Sequence, residues 1–416
     1  MSILVRDALV VTEAPYRGWV AIAGSRIERT GSGKPPEGPF GKVIDARGGA
    51  LIPGLVNTHA HSHSSLTRGS AEGMALEAWI ESIIREQRRL TPEQAHVGAL
   101  ATYAEALLSG TTAILDMCLL PEAALRAAQE IGIRAAIAPY VADSMAFAPT
   151  LRHTERLLRG NANVWVGLHD LESCSDAQIR EGVALARERK AGLHLHCAES
   201  RLSTGRTRTR TGRSPIAQLE HLGALGPRTH LAHCVWADAD DIALLASRKA
   251  AVAHCPHANL KLGSGVAPVP AMRAAGVRVA LATDGAKANN RLDMFDVMKF
   301  ASLLHKGVAH DPALLAPPEV LGMATREGAA ALGIEAGRIA PGQLADLVLV
   351  AVDRFHLQPA EPDTIVTNLV HAARGGDVDC VIVDGRVVVE GGRLATLDQD
   401  ELLARHAATG RELLGS

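Results

Sequence analysis

No cysteine pair in this chain has CxxC spacing. The six cysteines, Cys118, Cys174, Cys197, Cys234, Cys255 and Cys380, are scattered singly, so neither a disulfide framework nor a structural zinc finger is indicated, and a reducing cytoplasm is the expected setting. No apolar run reaches the ~20 residues of a membrane span. The opening MSILVRDALVV lacks the basic flank, apolar core and small-residue cleavage site of a signal peptide. Neither sign of charge dominates: 43 Lys and Arg face 45 Asp and Glu, a net of -2. That balance argues against a nucleic-acid surface and gives no general pull toward membranes, which leaves a small molecule as the expected partner. There is no repeat of fixed period and, apart from one basic stretch, no low-complexity tract.

The length of 416 residues has room for an α/β barrel of roughly 250 residues and a smaller unit. Residues 1–53 read as short strands (3–11, 18–23 and 43–46) separated by Gly- and Pro-rich turns such as GSGKPPEGP. From residue 54 to about 345, apolar strands alternate with helical stretches, the pattern of parallel β/α units. Eight strands are expected, at 51–59, 111–117, 133–141, 163–169, 191–197, 228–234, 250–256 and 277–284. A helix opens at a capping Asp176. After Gly342 the β character returns in ADLVLVAV and CVIVDGRVVVEGG, with a hairpin signal at Asp384-Gly385, and 398–414 is helical in pattern. The expected fold is a (β/α)8 TIM-like barrel over 54–345, with a small β-sandwich made from 1–53 and 346–416. Its active site should sit at the strand C-termini.

Those termini are where the titratable residues gather: His59 and His61, His169, His196 with Glu199, His233, His254 and Asp284. His59 and His61 leave one strand face together and can reach one ion. His194 and His196 share a face as well, so periodicity leaves open which of them binds metal. Glu199 lies just past its strand, where it could hold a proton in place of a ligand bond. Three imidazoles and the Asp284 carboxylate would leave a position open for water, as in a catalytic site.

The motifs PGLVNTHAH, SGTTAILDM, HLHCAES, LAHCVW, HCPHANLKLGSGVAPVPAMRAAGVRVALATDG, NNRLDMF and GRIAPGQLADLVLV together resemble the amidohydrolase superfamily. The likeness is to its branch of heterocycle aminohydrolases and chlorohydrolases: methylthioadenosine/S-adenosylhomocysteine deaminases, guanine and 8-oxoguanine deaminases and triazine hydrolases. The resemblance implies one divalent ion, zinc or alternatively iron, held by His59, His61, His196 and Asp284. No lysine stands at the end of the fourth strand, where binuclear relatives carry one. It also implies Glu199 as proton shuttle and His233 beside the reacting carbon, with Asp284 taking the proton of the attacking water. Pairing into a homodimer is expected on the same ground.

Substrate contacts are read at Gln87, His169, Trp79 and Asn259. His169 is kept from the family motif H-A-P-Y-T-C-S, but HDLESCS replaces the next three residues, and Gln87 stands where ribose-binding relatives have glutamate. Both departures weigh against an adenosine or thioadenosine. Trp79 is read either as a pocket wall in a lid or as helix core, His63 belongs to that lid, and His254 supports the site from behind. The loop 203–213, with Arg206, Arg208, Arg210 and Arg213, is expected to be solvated, with an anion clamp as the alternative. The expected function is hydrolytic deamination of an amino-substituted purine, pterin, pyrimidine or triazine-like ring, releasing ammonia. The alternatives are a triazine-type hydrolase releasing chloride or alkylamine, and a non-catalytic metal-bearing barrel serving as a binding subunit.

Overall fold

A computed structural model describes residues 2–415. Eight parallel strands form the barrel in two hydrogen-bonded runs. Leu55–Ala60, Thr111–Cys118 and Arg134–Pro139 make the first; Val166–Gly167, Leu193–Cys197, Thr229–His233, Ala251–His254 and Arg278–Leu281 make the second. Parallel bridges Ile137 to Val164 and Val141 to Leu168 join the runs on one side. On the other, Thr58 Oγ1 donates to the Leu281 carbonyl at 3.0 Å and Asp284 N to the His59 carbonyl at 3.0 Å, so the last strand closes on the first. The strands are buried on both faces, as a barrel wrapped by helices requires.

The two chain ends meet in a separate nine-stranded sheet. Its seam is the antiparallel pairing of Ala50–Pro53 with Leu347–Val350, and alternating residues such as Ile3, Val5, Val20, Ile22, Leu347 and Ile382 pack into their own apolar cluster. The hairpin between Val378–Val383 and Arg386–Glu390 turns through Asp384 (φ 52°) and Gly385 (φ 70°), the two positive φ values of a type I′ turn. A Cβ on Gly385 would lie 1.9 Å from the Gly24 carbonyl oxygen. Among the described residues no helix is long and apolar enough to cross a membrane.

The elements depart from the sequence pattern in five places. Residues 51–59 are not one strand: the chain breaks at Gly54, so Ala50–Pro53 joins the end sheet and Leu55–Ala60 opens the barrel. A Cβ at Gly54 would fall 2.0 Å from Thr112 Oγ1, and hydropathy carries no trace of that contact. The strand expected over 163–169 shrinks to Val166–Gly167. Arg26–Ser32, too polar to stand out, is also a strand. The cap expected at Asp176 is Ser175, whose side chain accepts from Gln178 N. The basic loop is a helix, Arg201–Thr211, capped by Ser200 and ended at Gly212 (φ 72°). It buries only Thr204 and Thr207, so it has no apolar stripe to reveal it.

Candidate metal centre and substrate pocket

Four imidazoles converge at the C-terminal mouth of the barrel, and their hydrogen bonds fix where each proton lies. Burial holds His59, His61, His194 and His196 below the usual imidazole pKa, so all four rings are neutral. Nδ1 of His61 meets the Met117 carbonyl at 2.7 Å, and Nδ1 of His196 meets the His169 carbonyl at 2.7 Å. A carbonyl only accepts, so both Nδ1 atoms carry the proton and both Nε2 atoms present lone pairs. His194 Nδ1 likewise donates to the His230 carbonyl at 2.8 Å, which makes its Nε2 an acceptor for His59 Nδ1–H, also at 2.8 Å. His59 Nε2 is left as a buried lone pair without a partner.

This donor set fits a divalent cation. The Nε2 atoms of His61 and His196 face each other at 3.2 Å with no proton between them, an arrangement that repels unless a cation sits beside both. Two nitrogens at the usual zinc distance of about 2.0–2.1 Å in a tetrahedral site are about 3.3 Å apart. Asp284 Oδ1 lies 3.7 Å from His59 Nε2 and 3.6 Å from His61 Nε2. Donor atoms of His59, His61 and His196 form one cluster within 4.8 Å, and those of His59, His233 and Asp284 form another. Asp284 stands three residues past the strand end Leu281, with φ 62°, and accepts from Gly285 N at 2.6 Å. Ala198, His233 and Cys234 also have positive φ, so strained backbone concentrates at this mouth.

Beside the cluster, Glu199 Oε2 lies 3.6 Å from His233 Nε2. Burial raises the Glu199 carboxyl to about 7, with His233 pulling it down and Asp284 pushing it up. His233 Nδ1 bonds Asn259 Oδ1 at 2.8 Å, which turns its Nε2 toward Glu199.

A cavity opens over these groups. One face of the helix Leu76–Gln87 roofs it with Leu76, Trp79, Ile80 and Ile83, at spacings that keep them on one side. Tyr140 and His169 wall it with ring centroids 4.1 Å apart, and the buried Tyr140 hydroxyl has no partner among the described residues. Asp170 also lines it. Burial would raise that carboxyl, but His169 and Ser173 hold it below the usual range. The last wall is polar: His63, Glu86, Gln87 and Lys287.

His59, His61, His196, Glu199, His233 and Asp284 are therefore brought together, and Trp79, Gln87 and His169 line the cavity above them. Asn259 is the exception: it is 1% exposed and outside the cavity lining, and it bonds His233. The anion-clamp alternative fails too, because Arg206, Arg208 and Arg210 pair with Glu172, Asp238 and Asp176, and none of them lines the cavity. His254 faces His305, Nε2 to Nε2, at 3.1 Å. Sequence reasoning missed Tyr140, Asp170 and Lys287. The position of Lys287, three residues after Asp284, was the one available signal.

The family model of the Amidohydrolase family matches residues 50–388. The chain is 39% identical over 410 residues to a 5'-deoxyadenosine deaminase of Methanothermobacter thermautotrophicus, covering 96% of this chain and 95% of the relative. It is 36% identical over 411 residues to a 5-methylthioadenosine/S-adenosylhomocysteine deaminase of Syntrophomonas wolfei, with coverage of 96% and 95%. Among solved structures, an adenosine deaminase from Xanthomonas campestris with bound zinc superposes with a TM-score of 0.94 at 28% identity, over 100% of this chain and 99% of that one.

Proposed function

This chain belongs to the amidohydrolase family and is a metal-dependent hydrolase of a carbon–nitrogen bond on a nitrogen heterocycle; we propose that it deaminates the adenine ring of an adenosine-type nucleoside, using one zinc ion. In this reading His59, His61, His196 and Asp284 hold the ion. A zinc ion bound there supplies Lewis acidity that brings the pKa of water toward ~7. The observation that carries the proposal is the set of inward lone pairs on three neutral imidazoles, next to a carboxyl that keeps a proton near neutrality.

The chain's own groups then divide the proton transfers. Asp284 takes a proton from the attacking water as its oxygen adds to the ring carbon bearing the amine. Glu199, protonated, gives its proton to the adjacent ring nitrogen and so neutralises the charge that addition places there. His233, whose Nδ1 donates to Asn259 Oδ1, accepts from the incoming oxygen through its Nε2. Asp284 returns its proton to the amine, the carbon–nitrogen bond breaks, ammonia leaves, and the hydroxyl proton restores Glu199 as the ring carbonyl forms. Leu76, Trp79, Ile80 and Ile83 cover the ring and exclude water.

The departures at HDLESCS and Gln87 weigh less than the similarity to adenosine-type deaminases along nearly the whole chain. The non-catalytic alternative is disfavoured because a strained, buried, charged mouth is costly to keep without use. The test is ammonia release by zinc-loaded protein from 5′-deoxyadenosine, methylthioadenosine, guanine, a pterin and an aminotriazine. Turnover of the nucleosides is expected. Turnover confined to another ring, or release of chloride from a chlorotriazine alone, would overturn the substrate assignment.

A further inference from the structure

Two tyrosines of this chain are fully buried, and their hydroxyls fare differently. Tyr103 donates to Asp116 Oδ2 at 2.7 Å. Tyr140, 2% exposed, lines the substrate cavity, and among the described residues its hydroxyl has no partner. A buried hydroxyl left unpaired is costly, so a ligand group in the cavity is its natural partner. Burial holds the phenol well above its usual pKa, with Asp170 adding to the effect, so the group is an O–H donor. Its ring is pinned against His169, with centroids 4.1 Å apart and planes inclined by 32°.

The place of Tyr140 around the mouth says which part of a ligand it meets. The rings of Tyr140, His169, His196 and His233 follow one another with centroids 4.1, 4.9 and 5.5 Å apart. Glu199 lies at the far end of that row, 3.6 Å from His233 Nε2. A heterocycle whose reacting carbon faces His196 and whose adjacent nitrogen meets Glu199 therefore turns its opposite edge toward Tyr140. We infer that Tyr140 is a specificity-determining substrate contact, whose hydroxyl donates to a second acceptor nitrogen of the ring, across the reacting carbon from the one that Glu199 protonates. In adenine that acceptor is N7 of the five-membered ring; an aminopyrimidine such as cytosine has only a C–H on that side. The inference rests on the ring-deamination reading above and adds what the ring must carry.

The test compares kcat/KM for 5′-deoxyadenosine and its 7-deaza analogue, which has C–H in place of that nitrogen, in zinc-loaded wild type and Tyr140→Phe. The exchange also alters how readily the ring is attacked, so the quantity read is the change of the ratio between the two proteins. Wild type should prefer the parent nucleoside. Tyr140→Phe should lower that preference about 5- to 100-fold, the cost of a buried donor facing a group that cannot accept. Thermal unfolding of substrate-free Tyr140→Phe should come at or above the wild-type temperature, because the hydroxyl has no bond there to lose. An unchanged ratio would overturn the contact while the deaminase reading stands. Earlier unfolding, with an equal loss for both nucleosides, would overturn it as well, as the mark of a packing role. No turnover of 5′-deoxyadenosine by wild type would overturn the parent reading and this one with it.

Discussion

His194 does not face the proposed ion, yet its removal should loosen the site. In His194→Leu the His59 Nδ1–H loses its acceptor, and the His230 carbonyl loses its donor. His59 is fully buried, so no water replaces the lost partner. An unpaired buried donor costs about 1–3 kcal/mol. Part of that falls on folding, and part on binding, because nothing then fixes the tautomer that points the Nε2 lone pair inward. Replacing a group that orients a metal-binding histidine costs about 10- to 100-fold in metal affinity. At about 1.4 kcal/mol per decade that is about 1.4–2.7 kcal/mol, the same size as the hydrogen-bond figure reached independently. Zinc affinity measured by competition with a chelating indicator should fall by that factor, and thermal unfolding of the zinc-free variant separates the folding share. Wild-type zinc affinity in a folded His194→Leu protein would refute the relay from His230 through His194 to His59.

Three further outcomes follow from the same geometry. The carboxyl of Glu199 is raised to about 7 in the ligand-free protein, so its acid form is present below that pH and lost above it, and log kcat/KM should fall with a slope near −1 on the alkaline side of about 7. Glu199→Gln should remove that limb and lower kcat about 100- to 10,000-fold while zinc stays bound, and wild-type turnover in that variant would cancel the role of Glu199. Arg208→Ala/Arg210→Ala should leave KM unchanged, since both arginines are engaged by Asp238 and Asp176 on the surface, where such pairs contribute about 0–1 kcal/mol. A rise in KM for any ring amine would bring the anion clamp back.

The barrel was legible because its information is local and repeated. Buried parallel strands make short apolar runs, helices between them carry caps, and a titratable residue after most of the runs marks the mouth. What could not be read is information held by contacts across the chain. Nothing near Gly54 announces Thr112 pressing on it. The polar helix Arg201–Thr211 is held by side-chain pairs to Glu172, Asp238 and Asp176, which periodicity does not see.

The site divides along the same line. Residue type and strand parity are enough to nominate His59, His61, His194, His196 and Asp284, but parity treats His194 and His196 alike. Each donates its Nδ1–H to a carbonyl, so what separates them is the partner of each Nε2. His196 Nδ1 is spent on a carbonyl, so its Nε2 is free to face His61, while His194 Nε2 is spent on His59. The distinction lies in hydrogen-bond partners brought in from other strands, and no pattern along one strand encodes it. Lys287 makes the same point from the other side of the cavity. In the sequence it is one lysine in a short polar turn; its partner Glu86 is 201 positions away, and only when the roof helix closes over the barrel does the pair become a feature that a substrate can meet.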